Sequence, residues 1–326
     1  MKALVTGASG LVGSHVAQRL IELGLEVACL VRPSSRRTWL EGLAVEYRTG
    51  SMNDEASLSL AITGVDYVFH CAGLMRARKL EEFLAVNAEG TRRLAQAAAW
   101  STRKVRRFVY VSSLAAVGPA PTPVPVDETT PPRPLDFYGQ SKLAGEQALL
   151  AFAPRLPVTI IRPPAVYGPP DTNFLPFFRL ARKWRIAPLL GGPDKQISFA
   201  HARDLAEGIC QAGLAEAAIG QTYFIASSTC TTAEFVRALG AGLGFYVRPL
   251  IVPAWLAKLA GEWGELKWKL TGRPQILSRR KVRDALQDRW TCCWDKARRE
   301  LGYQEKITME AGLAQTAKWY REKGWI

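Results

Sequence analysis

Tyr138 and Lys142, four residues apart in the stretch DFYGQSK, carry a phenol and an ammonium that would share one face of a helix. Brought to one point, such a pair can move a proton. A phenol ordinarily ionises at roughly pH 10, and a neighbouring ammonium favours the phenolate and lowers that value. The spacing alone is common in helices, so its meaning depends on what else the fold brings near. Twenty-five residues before Tyr138 lies Ser113, in YVSSLAAVG, where Ser112 and Ser113 follow an apolar run. At the carboxyl end of a strand, those hydroxyls would stand where ligands bind in open α/β sheets.

A second constellation opens the chain. VTGASGLVGSH spaces Gly7, Gly10 and Gly13 directly after an apolar run and at the start of a helical pattern. Glycines there permit a tight turn and let backbone approach a pyrophosphate at the positive end of the helix, which predicts dinucleotide binding. The end of the next strand discriminates between dinucleotides, an acid there suiting a ribose 2′-OH and an arginine a 2′-phosphate. Here it reads Val31-Arg32-Pro33, with Arg36 and Arg37 close behind and no carboxylate in the turn. NADP(H) is therefore favoured over NAD(H).

The elements that must position these residues follow an alternating rhythm. Strands are predicted over 2–7, 26–31, 45–50, 66–72, 107–113 and 158–164, with helices such as 14–23, 87–100 and 138–152 between them. Short, near-continuous Val, Ile and Leu runs fit strands covered on both faces, and the alternation predicts an α/β fold with a doubly wound parallel sheet. Seven prolines between Gly118 and Pro134 mark an extended loop. After Gly168 the pattern becomes irregular. The expected division is a dinucleotide-binding domain over 1–168, its sheet completed by parts of 195–226, and a smaller, mostly helical substrate lobe over 169–326.

Composition narrows the setting. A chain of 326 residues can bury a sizeable core. The six cysteines show neither C-x-x-C nor metal spacing with histidine, so reduced thiols are the simplest reading. His15, His70 and His201 lack partners at ligand spacing, and no metal site is expected. The opening MKALVTGASG lacks the marks of a signal peptide, and no run reaches the ~18 apolar residues of a membrane span, so a cytoplasmic protein is expected. The net charge of +14 raises nucleic acid or an anionic membrane as partners.

Taken in order, Thr6-Gly7-x-x-Gly10-x-x-Gly13, the strand-end serine, Tyr138-x-x-x-Lys142 and RPPAVYGP from Arg162 to Pro169 resemble the extended short-chain dehydrogenase/reductases, the NAD-dependent epimerase/dehydratase group. The resemblance runs from Met1 to about Leu214 and implies a Rossmann-type fold and a nicotinamide cofactor. It further implies that Tyr138 exchanges a proton with a carbonyl oxygen as hydride moves, that Ser113 hydrogen-bonds that oxygen, and that Lys142 holds the nicotinamide ribose. Asn87, in VNAEGT, matches the family's helix asparagine, although a helix N-cap explains it equally well. Cofactor contacts carry over to Gly7, Ser9, Gly10, Leu11, Val12, Gly13, Arg32, Arg36, Ala72, Gly73, Val111, Tyr138, Lys142, Pro163 and Val166. A homodimer through the helices bearing Asn87 and Tyr138 is implied by analogy.

Departures from the family's pattern narrow the activity. Dehydratases carry an Asp-Glu pair after the strand-end hydroxyl, where this chain has Leu114-Ala115. Sugar-nucleotide enzymes place an asparagine and an arginine on the substrate's pyrophosphate, where this chain has Ala165 and Ile197. The acid usually found near the adenine is Ser51, with Asn53 or Asp54 as substitutes. The pattern is closest to the dihydroflavonol-reductase and 3β-hydroxysteroid-dehydrogenase branch, which implies an oxidoreductase interconverting a ketone and a secondary alcohol on a steroid-like or long-chain substrate. Candidate substrate contacts are Leu74, Met75, Leu114, Phe137, Pro164, Phe174, Phe178, Leu175 and Val166. A sugar epimerase using the same Tyr138 and Ser113, and a non-catalytic dinucleotide sensor, are the competing readings.

The remaining signal lies in the tail. From Ile251 to Ile326 there are 16 Lys and Arg against 9 Asp and Glu, with seven of the ten tryptophans. PAWLAKLAGEWGELKWKLTGRP, from Pro253 to Pro274, mixes Trp255, Trp263 and Trp268 with lysines, as suits a membrane interface. A helical lobe packing its tryptophans inward is the competing expectation, and the favoured one. Asp284, Asp288, Asp295 and Glu300 interrupt the basic run that follows, so a mixed-charge helix is expected there and no nucleic-acid partner.

Overall fold

The computed structural model describes residues 1–271 and 279–326, without the side chains of residues 268–270 and 280, so Trp268 and the 272–274 end of the tryptophan-rich stretch lie outside the described residues. The first half runs β1 (Lys2–Thr6), α1 (Leu11–Glu22), β2 (Glu26–Val31), β3 (Val45–Thr49), α2 (Glu55–Ile62), β4 (Tyr67–His70), α3 (Leu80–Leu84), α4 (Gly90–Ala99), β5 (Arg107–Val111), α5 (Phe137–Leu150) and β6 (Val158–Arg162). The second half runs β7 (Ala165–Tyr167), α6 (Leu175–Trp184), β8 (Ile186–Leu190), β9 (Gln196–His201), α7 (Ala202–Leu214), β10 (Thr222–Phe224), β11 (Ser228–Thr231), α8 (Thr232–Leu243), β12 (Arg248–Val252), α9 (Ala254–Thr271), α10 (Arg279–Ala285), β13 (Arg289–Trp290), α11 (Asp295–Leu301) and α12 (Met309–Glu322).

Seven parallel strands form the main sheet in the order β10-β6-β5-β4-β1-β2-β3. This is the doubly wound Rossmann arrangement. The order reverses between β1 and β4, which opens a crevice at their carboxyl ends. Successive strand residues feed opposite layers, since side chains alternate across a sheet. Val5, Val27 and Val109 pack with Val16 and Leu20 of α1 and Ile209 of α7, while Leu4, Ala28 and Phe108 pack with Leu58 of α2, Leu94 of α4 and Leu149 of α5. The edge strand β3 alternates differently: its outward residues join a surface charge cluster in which Glu46 pairs with Lys2 (2.8 Å) and Arg48 (2.7 Å).

The second lobe has its own core, where Phe178 of α6, Leu189 of β8, Leu239 of α8 and Tyr320 of α12 meet. Short strands accompany its helices. β9 lies between β11 and β13 and also pairs with β7, and β12 pairs in parallel with β8. The proline-rich loop after Gly118 forms no helix or strand, yet it is pinned to the tail: Val126 N–H donates to Thr291 O (3.1 Å) and Cys293 N–H to Val126 O (2.8 Å).

Two expectations need correction. The helix predicted from Asn87 begins earlier, as α3, and passes through a wide π-type turn over Ala85–Glu89 into α4. Asn87 thus lies inside a continuous helical path and is not its N-cap. The favoured inward packing of the tryptophans between Pro253 and Pro274 is not what is found: Trp255 and Trp263 of α9 are 64% and 73% exposed, whereas outside that stretch Trp294 packs on the main core and Trp319 and Trp325 cluster with Trp39.

Candidate active site

A cavity of about 1310 Å³ begins at the glycine turn, passes the carboxyl ends of β1, β4 and β5, and ends between α6, α8, α9 and α10. Small-molecule sites are usually ~300–1,000 Å³. This one exceeds that range.

Its first part has the form a pyrophosphate needs. Gly7 adopts φ +68°, and a Cβ there would lie 2.6 Å from Ala72 N; a Cβ on Gly13 would lie 2.3 Å from Gly7 O. Neither position has room for a side chain, so β1, the turn and α1 approach at backbone distance. No side chain caps α1 at Gly10, and the N–H groups of its first turn lack helical acceptors. They are left for an anion. Arg32 and Ser35 line the far end, and Ser35 Oγ accepts from Arg32 N–H (3.1 Å). Among the described residues lining the cavity, the only carboxylate is Asp284, at the opposite end. No carboxylate thus competes at the Arg32 end, and the residues fit a nicotinamide dinucleotide.

The middle of the cavity holds the proton-transfer candidates. Asp136 caps α5, its Oδ1 accepting from Gly139 N–H (2.7 Å), which fixes the first turn and Tyr138 within it. Burial pushes the Tyr138 phenol up to about 12, with a hydrogen bond from Ser113 working the other way. The expected lowering of this group is not what the protein alone produces. Burial also acts on Lys142, holding its ammonium down at about 7 against the raising pull of Glu146. Lys142 Nζ donates to Val111 O (2.7 Å) and stands 4.2 Å from the Tyr110 ring centroid.

Beneath Lys142 lies a support that the motifs did not reveal. Glu146, one turn further along α5 and 2% exposed, accepts from Arg162 Nε (2.9 Å) and from a terminal guanidinium nitrogen (2.6 Å). It also accepts from Ser112 Oγ (2.5 Å). The paired serines are thereby divided: Ser112 faces the buried ion pair and Ser113 faces Tyr138. The i, i+4 spacing of Lys142 and Glu146 and the arginine of RPPAVYGP were the available signals.

Asn87 is 1% exposed and does not line the cavity. Its Oδ1 accepts from Leu74 N–H (2.7 Å), and its Nδ2 donates to Leu74 O (3.0 Å) and Ser141 Oγ (2.8 Å). It ties the loop after β4 to α5. Burial holds His70 neutral, down at about 3, between Thr6 (2.6 Å) and Thr91 (2.9 Å). No group of potential metal ligands occurs among the described residues.

Of the other sequence candidates, the cofactor candidates Ser9, Gly10, Leu11, Val12, Ala72, Gly73, Val111, Pro163 and Val166 and the substrate candidates Leu74, Met75, Leu114, Pro164 and Phe174 all line the cavity. Four candidates do not line it. Phe178 is fully buried, 5.0 Å from Tyr320 between ring centroids, because the helical phase of α6 turns Phe177 and not Phe178 to the cavity. Leu175 packs on the same core, Phe137 lies outside the lining, and Arg36 is exposed beyond it. Sequence reasoning missed the far wall, including Leu190, Lys195, Val252, Leu256 and Asp284. Burial and Asp136 push Asp284 up to about 7.

A model of the NAD dependent epimerase/dehydratase family matches residues 3–226. A ceramide reductase of Caulobacter vibrioides is 31% identical over 99% of this chain and 95% of its own. A 4-hydroxy-2-methyl-3-oxo-4-farnesyl-3,4-dihydroquinoline-1-oxide ketoreductase of Stigmatella aurantiaca is 29% identical over 96% of this chain and 95% of its own. The crystal structure of gox2253 matches with a TM-score of 0.84 and 28% identity, covering 99% of both chains. The family expected from the motifs is the family found: the chain belongs to the NAD dependent epimerase/dehydratase family and is an oxidoreductase or epimerase that works with a nicotinamide dinucleotide.

Proposed function

We propose that the protein is an NADP(H)-dependent reductase of a ketone carried on a long, largely apolar substrate. The observation that carries this reading is the composition of the substrate part of the cavity. Phe174, Phe177, Leu180, Leu189, Phe235 and Val252 line it, as do Ala165 and Ile197, the residues that the family resemblance matches to the pyrophosphate contacts of sugar-nucleotide enzymes. Apolar side chains cannot replace charge-assisted contacts to phosphate. Relatives named as a ceramide reductase and as a ketoreductase of a farnesylated compound support the same substrate class.

In this reading the glycine turn and the first turn of α1 hold the pyrophosphate, Arg32 the 2′-phosphate and Lys142 the nicotinamide ribose. The bound cofactor supplies the hydride. Ser113 donates to the carbonyl oxygen as charge develops there, and Tyr138 gives that oxygen its proton. Burial raises the phenol to about 12 in the protein alone, so Tyr138 carries its proton at neutral pH.

The test is loss of NADPH absorbance with long-chain and steroidal ketones, run beside a UDP-hexose. Consumption of NADPH with the apolar ketones is expected. Interconversion of the UDP-hexose without net consumption would establish the epimerase reading instead. Replacing Arg32 with Ala is expected to raise KM for NADPH about 10-fold, from loss of a charge-assisted contact at an exposed site, and to leave KM for NADH unchanged. Equal changes for both dinucleotides would remove Arg32 from 2′-phosphate recognition.

A further inference from the structure

Among the apolar residues that both line the cavity and are exposed are Phe177 of α6, 40% exposed, and Leu256 of α9, 45% exposed. The surface around them is itself apolar. Leu250 and Ile251 of β12 and Trp255, Leu259 and Trp263 of α9 are all exposed large hydrophobics. Helical phase explains the arrangement: Ala257 and Ala260 turn one stripe of α9 into the cavity, while positions 255, 259 and 263 carry the neighbouring stripe outward. Several large apolar side chains exposed on one helix stripe and on the strand just before it point to a surface with an interaction to serve.

The charges beside it select the partner. Arg248, Lys258 and Lys267 accompany the patch, against Glu262 and Glu265, and Glu262 is neutralised by Arg279 (3.1 Å). α6, whose sequence LPFFRLARKW contains no acid, adds exposed Arg182 and Lys183 beside exposed Trp184. Tryptophan and leucine flanked by basic residues suit the boundary between acyl chains and anionic headgroups. No helix among the described residues is long and apolar enough to cross a membrane, so the contact would be peripheral.

We propose that β12, α9 and the C-terminal end of α6 dock on an anionic phospholipid bilayer, and that substrate passes from the lipid into the cavity between Phe177 and Leu256. The second clause rests on the apolar-ketone reading; docking itself does not. A protein partner would need no apolar passage behind its contact surface, whereas a lipophilic substrate taken from a bilayer would otherwise have to cross water.

The experiment is flotation of the full chain with phosphatidylcholine vesicles containing phosphatidylglycerol, for the native protein and Trp255→Ser/Trp263→Ser. Neither tryptophan lines the cavity. The native chain is expected to float, and the variant's bound fraction to fall about 10-fold, as expected when two interfacial anchors are removed. Turnover of a short, water-soluble ketone should stay unchanged in the variant, while turnover of a long-chain ketone presented in vesicles should fall. A native chain that stays at the bottom, or a variant that floats equally well, overturns the proposal. So does a native dimer that the double substitution dissociates without any flotation, since a second copy would then cover the face. Flotation is read without turnover, so failure of docking and failure of the reductase reading are separate results.

Discussion

Replacing Tyr138 with Phe is expected to lower turnover of an apolar ketone by about 10²- to 10⁴-fold, the usual span for loss of a positioned proton donor. The substitution removes one oxygen and keeps the ring, whose contact with Phe83 (6.4 Å between centroids) holds its place. NADPH binding, followed by nucleotide fluorescence, should persist because the glycine turn and Lys142 are untouched. Equal loss of binding and turnover would make Tyr138 a packing residue. The pH profile gives a second check. In the protein alone Tyr138 lies at about 12 and Lys142 at about 7, so as pH rises between those values the phenol keeps its proton while the ammonium loses its charge. The alkaline limb of kcat/KM is therefore expected to follow Lys142, starting near pH 7, and a limb appearing only near the phenol's value would overturn that assignment.

The parts of this site that were legible in the sequence are those fixed by local chemistry. Gly7 and Gly13 could be read because only glycine fits where a Cβ would meet backbone at 2.6 and 2.3 Å. The β1, β2, β5 and β6 strands could be read because burial on both faces demands unbroken apolar runs, and their observed ends fall within two residues of the expected ones. What failed depended on helical phase or on convergence of distant segments. In LPFFRL, Phe177 and Phe178 are chemically alike, and only the packing of α6 on Tyr320 decides that Phe178 is core and Phe177 cavity wall. Asn87 suited a cap by residue type, but the helical path already begins at Leu80, so its amide is free to bridge Leu74 and Ser141. Asp284 reaches the cavity from the tail and meets Asp136 across some 150 positions of chain, which no local pattern encodes.

Replacing Glu146 with Leu is expected to cost about 3–5 kcal/mol of stability, the usual result of breaking a buried ion pair from one side. The substitution leaves the Arg162 guanidinium, 7% exposed, without its bidentate acceptor, and leaves the Ser112 hydroxyl without its 2.5 Å partner. Urea unfolding should show a lower midpoint with an unchanged slope, the mark of lost native-state stability. The pair Glu146→Leu/Arg162→Met should recover most of that loss, because removing both charges leaves no uncompensated ion and apolar volume can take their place. A loss below about 1 kcal/mol in the single variant would mean that the pair behaves like a solvated surface bridge, contrary to its burial. The chemistry should move as well. Glu146 raises the Lys142 value against the larger effect of burial, so its removal sends Lys142 below about 7 and carries the alkaline limb of the pH profile to lower pH. The same substitution that weakens the fold should thus shift the titration of the site above it, as one buried carboxylate of α5 serves both.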